Sequence, residues 1–287
     1  MRYNKQELIN ILSKNNLEAF SNTTYFEIQD FINIYEATDN EYLTFYKSND
    51  CKDLKKFANY STGCILAPIK FRDSIDGPIL FTSNPQLAFI HIYNNLTHKR
   101  EQKGKIHPSA IIDQNCKIGE NTRIDAGAIL GACTIGNNCI IGKGVIIEDC
   151  VEISNNVKIF NGANLGDSGL GSIMNSDNNQ ILFPHLKKLI IKENVVIGSE
   201  AIICRGSLKD TVIGKNTHIS AKSFIAHNCN IGENVFLSPN VTLAGSVAIG
   251  DRSYIALNVS IHESCVIPKS CTVGMNVCLR ESKNQKP

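Results

Sequence analysis

The sequence predicts a mainly β protein: a left-handed parallel β-helix of hexapeptide repeats, preceded by a small α/β domain. Three observations predict it. Ile, Leu or Val recurs at every sixth position from Ile106 to Leu130, from Ile135 to Leu165 and from Ile191 onward, most regularly between Ile213 and Leu279. A period of six suits neither a helical face nor an alternating strand. It suits a coil in which each hexad supplies one short strand and one turn. Four residues after the aliphatic comes a small residue, as at Cys116, Cys139, Val195, Thr217, Ser223, Cys229 and Cys265. Only small groups fit where a chain bends inside a narrow prism. The residues before about 100 lack the hexad and carry ordinary helix and strand signals instead.

Three hexads make one triangular coil, so residues 18 apart stack on one face. At the usual strand spacing of about 4.8 Å, roughly eight coils make a prism about 40 Å tall. The left-handed sense is carried over from known hexapeptide coils. The small inward position accounts for Cys116, Cys139, Cys229, Cys265 and Cys271 as packing groups, since a buried free thiol behaves as a small hydrophobe. Glycine often follows the aliphatic, as at Gly119, Gly136, Gly198, Gly232 and Gly250. There it is read as relaxing the corner geometry.

In the first domain, Asn4 is placed to cap a helix running to Ser13. Tyr42–Tyr46, Gly63–Ala67 and Ile79–Thr82 read as strands. Asn84-Pro85 is a cap followed by a first-turn proline, starting a helix through Leu87–Asn94. The polar stretch His98–Lys105 reads as the linker. The expected domains are therefore 1–100, a small α/β domain; 101–280, the β-helix, with a loop at 166–189; and 281–287, a polar tail.

A net charge of +2 over 287 residues gives no field suited to nucleic acid. No run of 18 apolar residues and no signal-peptide layout follow Met1, so no membrane span and a cytoplasmic location are expected. Eleven cysteines without paired CxxC spacing suit a reducing compartment better than a disulfide framework.

Apart from a one-residue slip between Leu130 and Ile135, the period breaks twice. Gly166–Lys188 contains Gly-Asp-Ser-Gly-Leu-Gly, a polar run and Phe183-Pro184-His185, and must leave the prism as a loop. Loops this long are usually functional or disordered. The glycine-rich ends and the aromatic, basic second half favour function. A shorter break of four residues falls within Cys204–Thr211.

A β-helix has no inherent cleft, so candidate chemistry lies on outward polar groups. His227, two after Ile225, points outward, and Gly245 lies 18 residues on. A histidine one coil from a glycine with an unobstructed N–H suits acyl transfer: a base for the nucleophile and a donor for the developing oxyanion. The plainer reading makes His227 an exposed turn residue. His185 is either a substrate contact or a loop tip. His218 and His227 invite comparison with a γ-carbonic-anhydrase metal site, but that needs three converging histidines. His262 is 35 residues beyond His227 and no third ligand has suitable spacing, so no metal is expected. A non-catalytic scaffold, with hexads serving assembly alone, is the reading from another class.

The stretch from Ile203 to Asp251 resembles the UDP-3-O-acylglucosamine N-acyltransferases of lipid A biosynthesis. The resemblance is carried by Arg205-Gly206-Ser207-Leu208-Lys209-Asp210-Thr211-Val212-Ile213-Gly214, by Ile225-Ala226-His227-Asn228 and by Ala244-Gly245-Ser246. It extends to Gly166–Gly171, to Phe183-Pro184-His185, to Ile106-His107-Pro108-Ser109-Ala110 and, in the first domain, to Leu43-Thr44-Phe45 and Ser83–Phe89. It implies a homotrimeric N-acyltransferase with sites between subunits. His227 corresponds to the catalytic base and the Gly245 amide to the oxyanion donor. The implied substrate contacts are Phe45, Asp167, Ser168, His185, Arg205, Lys209 and Asn228, with Arg205 and Lys209 favoured for phosphate. No tightly bound cofactor is implied; the co-substrate is an acyl thioester of coenzyme A or of acyl carrier protein.

Four departures bear on substrate. The family's uracil-gripping aromatic and amide residues read here as Ser48 and Cys51. Its Asp-Asn one hexad before the histidine reads Ser220-Ala221. No helices follow Leu279, and His262 lies off the position of the family's second histidine. These losses fit relatives that use coenzyme A thioesters to acylate amino sugars on UDP or dTDP, for O-antigen or other surface glycans. The lipid A activity itself with acyl carrier protein, and O-acyl transfer, are the alternatives.

Overall fold

A computed structural model describes residues 2–28, 30–31, 42–48, 50–60, 63–97 and 104–280. The expected linker lies outside these except for residues 104–105, and the tail 281–287 lies wholly outside them. The chain divides into two compact units, Met1–Glu101 and Gln102–Pro287.

The first unit is built from β1 (Arg2–Asn4), α1 (Lys5–Ser13), β2 (Ala19–Phe20), β3 (Tyr25–Glu27), β4 (Asp30–Phe31), β5 (Tyr42–Phe45), α2 (Lys52–Tyr60), β6 (Cys64–Pro68), β7 (Ile79–Thr82) and α3 (Pro85–Thr97). Its main sheet runs β2-β7-β6-β5-β4, with β4 to β7 parallel. Asn4 closes a capping box: its side chain accepts from the Gln6 N–H, and Glu7 accepts from the Asn4 N–H. Successive residues of β6 face opposite cores. Cys64 and Leu66 pack with Leu8, Leu12 and Ile92, while Ile65 and Ala67 pack with Tyr46, Leu54 and Phe81. Burial on both faces explains why these strands read as unbroken apolar runs. The helix α2 is absent from the sequence reading. Asp50 starts it by accepting from the Lys52 N–H, and Leu54 and Ala58 bury its inner face.

The second unit is a parallel β-solenoid of three sheets with eight, nine and eight strands. The repeat sets the register directly: Phe224 pairs with Thr242 and Ile225 with Leu243, one coil apart. The hexad aliphatics form a single column of core, with Ile213, Ile225, Leu237, Leu243 and Ile255 all at 0% exposure. The small inward residues line its corners, and Thr217 and Ser223 turn their hydroxyls to the Gly232 and Ser238 carbonyls. Each coil rests only on its neighbours, so a cavity cannot be relieved by rearrangement elsewhere. Truncating Ile231, which is 1% exposed, to alanine is expected to lower stability by about 2–5 kcal/mol. An unchanged urea midpoint in equilibrium unfolding would contradict this.

The glycines after the aliphatics serve a different purpose from the one expected. Gly119, Gly136, Gly198, Gly232 and Gly250 have no positive φ. The strained corner falls two residues later and is taken mostly by asparagine: Asn121, Asn138, Asn156, Asn194, Asn216, Asn234 and Asn258 have φ between 55° and 61°. Asparagine tolerates this left-handed conformation better than other side chains. Glycine is required beside it for space. A Cβ on Gly136 would lie 2.6 Å from Asn155 Oδ1 and 2.7 Å from the Ser154 carbonyl carbon.

The long break in the period is more ordered than a plain loop. The chain leaves the prism at Gly166 (φ +89°), where a bulge separates Leu165 from Asp167. Ser172–Met174 and Gln180–Leu182 then form an antiparallel hairpin. On its return the excursion meets the shorter break. Leu186 N–H donates to Ser207 O, Lys187 N–H to Gly206 O, and Lys188 N–H to Asp210 Oδ1. The two places where the hexad fails are therefore one structural feature, in which each supplies the other's backbone partners.

Candidate active site

The strand Phe224–Ile225 turns its chain outward at His227, and the next coil does the same at Gly245. The His227 ring lies against this glycine. A Cβ at position 245 would stand 2.6 Å from His227 Cε1, 2.9 Å from Nε2 and 3.2 Å from Nδ1. The backbone holding them is fixed on both sides: Ala244 N–H donates to Ile261 O and Ser246 N–H to His227 O. Among the described residues, the Gly245 N–H between them donates to no backbone carbonyl.

The excursion brings His185 to the same place. Its ring centroid lies 5.1 Å from that of His227, at an interplanar angle of 67°. His185 is only 6% exposed and is not a loop tip. Its Nδ1 lies 3.1 Å from Phe183 O, a contact that requires the proton on Nδ1 and leaves Nε2 with its lone pair. Burial first, then the charge of His227, lowers its pKa below the ordinary histidine value; Arg205 adds to this, while Asp167 and the Phe183 carbonyl oppose it. Gly169 passes over both rings. A Cβ there would lie 2.8 Å from His185 Nε2 and 3.3 Å from His227 Cδ2.

The other expected site residues divide into four groups. Asp167, Ser168 and Arg205 are joined at the base of the excursion: Arg205 N–H donates to Asp167 O, and its Nη2 to Ser168 Oγ at 3.0 Å. Its Nε is buried without a partner. Asn228 is committed within the chain. Its Oδ1 accepts from the Ser207 N–H at 2.8 Å and its Nδ2 donates to Ser207 Oγ at 2.9 Å, so it holds the shorter break rather than facing outward free. Lys209 and His262 are exposed. Phe45, in the first unit, packs edge-on against Phe89 at 5.4 Å and belongs to that unit's apolar cluster. Gly169, Ser207 and the Phe183 carbonyl are contributors to which the sequence reading assigned no role, although all three lie within motifs it singled out: Gly166–Gly171, Arg205-Gly206-Ser207 and Phe183-Pro184-His185.

No group of three or more His, Cys, Asp or Glu among the described residues is placed to hold a metal ion. No helix among them is long and apolar enough to cross a membrane. Two thiols lie under the site. Burial and then the nearby Asp167 carboxylate raise the Cys204 pKa to about 11, and burial raises that of Cys229 to about 12. Since the thiolate is the reactive form, iodoacetamide near pH 8 is expected to label exposed Cys150 and Cys278 well before Cys204 and Cys229. Peptide mass spectrometry after timed quenching reads this order. Equal labelling would mean that the coil at Ile202–Cys204 opens readily.

Comparison with known proteins agrees with this architecture. The family described as bacterial transferase hexapeptide (six repeats) matches residues 210–245, the stretch holding both His227 and Gly245. A UDP-3-O-acylglucosamine N-acyltransferase of Coxiella burnetii is 34% identical over 200 residues, covering 62% of this chain and 58% of the relative. The chain thus spans somewhat over half the length of this curated relative. A solved UDP-N-acetylglucosamine acyltransferase from Campylobacter jejuni superposes with a TM-score of 0.55 at 30% identity, covering 62% of this chain and 68% of that one. The corresponding structure from Bacteroides fragilis gives a TM-score of 0.56 at 26% identity, covering 61% and 67%. With its hexad solenoid and these matches, the chain carries the bacterial transferase hexapeptide repeat and is similar to acyltransferases over about three fifths of its length.

Proposed function

We propose that the protein transfers an acyl group from a thioester to the amine of a nucleotide-linked amino sugar, for lipid A or a related surface glycan. The observation that carries this reading is the seating of the His227 ring on Gly245 beside an amide N–H with no backbone partner. His227 Nδ1 is buried, so Nε2 is the nitrogen left to meet a ligand. It takes a proton from the amine nitrogen as that nitrogen bonds to the thioester carbonyl. The carbonyl oxygen, now negative, accepts from the Gly245 N–H. The C–S bond then breaks, the thiolate takes the proton from His227, and the products are an amide and a thiol. The pairing of Arg205 with Ser168 beside His185 supports a polar, anion-tolerant rim for the nucleotide sugar. Subunit association into a homotrimer, with Phe45 of the first unit stacking on the nucleobase, belongs to the same reading.

The activity named for the Coxiella relative favours a second, narrower reading, in which the acceptor is UDP-3-O-acylglucosamine; in that reading we take the donor to be an acyl thioester of acyl carrier protein. One experiment separates the readings. The full chain is incubated with UDP- and dTDP-linked amino sugars and with coenzyme A or acyl-carrier-protein thioesters, and products are identified by mass spectrometry. An N-acylated nucleotide sugar is expected. Ligands that bind should also raise the melting temperature by mass action. Acylation confined to hydroxyl acceptors would overturn the choice of nitrogen. Neither turnover nor stabilisation with any pair would sink acyl transfer.

A further inference from the structure

The site holds two buried imidazole nitrogens that lack partners: Nε2 of His185 and Nδ1 of His227. A buried polar atom left unpaired costs roughly 1–3 kcal/mol, so two of them side by side need a reason. The rings are near enough to remove both deficits at once. At a ring-centroid distance of 5.1 Å, edge atoms of the two rings that are turned toward each other come within reach of a hydrogen bond. In the structure, His227 turns Cδ2 rather than Nδ1 toward the point beside Gly169 that His185 Nε2 also faces. A half-turn of the ring about χ2 exchanges those two atoms.

We propose that His185 is the positioning residue for His227. After that half-turn the His227 Nδ1–H donates to His185 Nε2, while the His185 Nδ1–H donates to Phe183 O. This inference rests on the reading of His227 as base. It fixes the tautomer of His227, since the hydrogen bond made by one ring nitrogen decides where the proton sits. The same half-turn exchanges Cε1 and Nε2, so Nε2, with its lone pair free, takes the place nearest Gly245, where the nucleophile is met. When His227 gains a proton there, its charge is shared with a neutral acceptor instead of a carboxylate. The groups facing the pair are Asp167 and Arg205 from the base of the excursion, with Gly169 and Gly245 contributing only backbone. Burial lowers the His185 pKa and so favours the neutral form, which can accept. The missing side chain at Gly169 leaves the space through which the two nitrogens meet.

The test uses the full chain and two variants. His185→Phe keeps the ring volume and removes the acceptor, whereas His185→Gln retains an acceptor. The first measurement needs no substrate: long-range nitrogen–proton NMR of histidine-labelled protein, with the His227 signals assigned by their loss in His227→Gln. His227 is expected to be in the Nδ1–H form in the wild type and in His185→Gln, and to gain the Nε2–H form in His185→Phe. The second is kinetics with the acyl donor and amino-sugar nucleotide identified by the product screen. In His185→Phe, kcat is expected to fall about 10–100-fold, the usual size for losing a partner that orients a functional histidine, with KM within about twofold. His185→Gln recovers most of the rate. An unchanged His227 tautomer in His185→Phe overturns the proposal, as does a glutamine variant no better than phenylalanine. Failure of the wild type to acylate any acceptor refutes the base reading separately, and the tautomer result still decides the pairing.

Discussion

Replacing His227 with alanine is expected to lower kcat/KM for acyl transfer by about 10²–10⁴-fold, the range that a positioned general base contributes. The fold should be indifferent to the change. The ring is half-exposed, and the backbone at 227 is held by its own carbonyl, which accepts from the Ser246 N–H. The aliphatic two residues earlier, Ile225, anchors the coil in the core at 0% exposure. Loss of rate with an unchanged thermal midpoint and oligomeric state would place His227 in the chemistry. A variant that turns over normally would leave the solenoid as a scaffold and the base elsewhere. An amine acceptor provides a graded control: raising the pH supplies more neutral amine, but it does not replace a base needed as the carbon–nitrogen bond forms.

How much of this was readable in advance depends on whether a residue obeys the period. Six residues per face and three faces per coil turn sequence separation into distance, so His227 and Gly245 could be placed together from an interval of 18. The core was readable for the same reason. The role of the glycines was not, because the period marks the corner but not which of its residues is strained. Asn216 and its counterparts take the left-handed turn, and the neighbouring glycines make room for the coil above. The excursion obeys no period. Its hairpin at Ser172–Leu182, the return of Leu186 and Lys187 to Ser207 and Gly206, and the burial of His185 against His227 all depend on contacts between two irregular segments. Nothing in their spacing states that they meet. In the first unit, α2 gives only a weak sequence signal, because Leu54, Phe57 and Ala58 form a short apolar stripe among lysines.

Gly245→Ala is the sharpest test of how the site is seated, because it changes one methyl group and keeps the amide N–H. Position 245 has no positive φ, so alanine meets no backbone strain there. The obstacle is His227. The new Cβ would fall 2.6 Å from Cε1 and 2.9 Å from Nε2, closer than real Cβ contacts allow. The backbone cannot easily give way, since Ala244 and Ser246 on either side are tied to neighbouring coils. The ring has a free edge and must be what moves. A displacement near 1 Å in a reacting group commonly costs about 10²-fold in rate, and a loss of at least that size in kcat is expected. Gly274→Ala is the matched control, because a Cβ there meets nothing within 4 Å. It should leave kcat and the melting temperature unchanged. If Gly245→Ala were as active as Gly274→Ala, the glycine would not be seating the base. If it lost activity only together with stability, the methyl group would have moved the coil instead of the ring. Because the N–H survives in alanine, a pure rate loss assigns the effect to the position of His227 and not to a missing oxyanion donor.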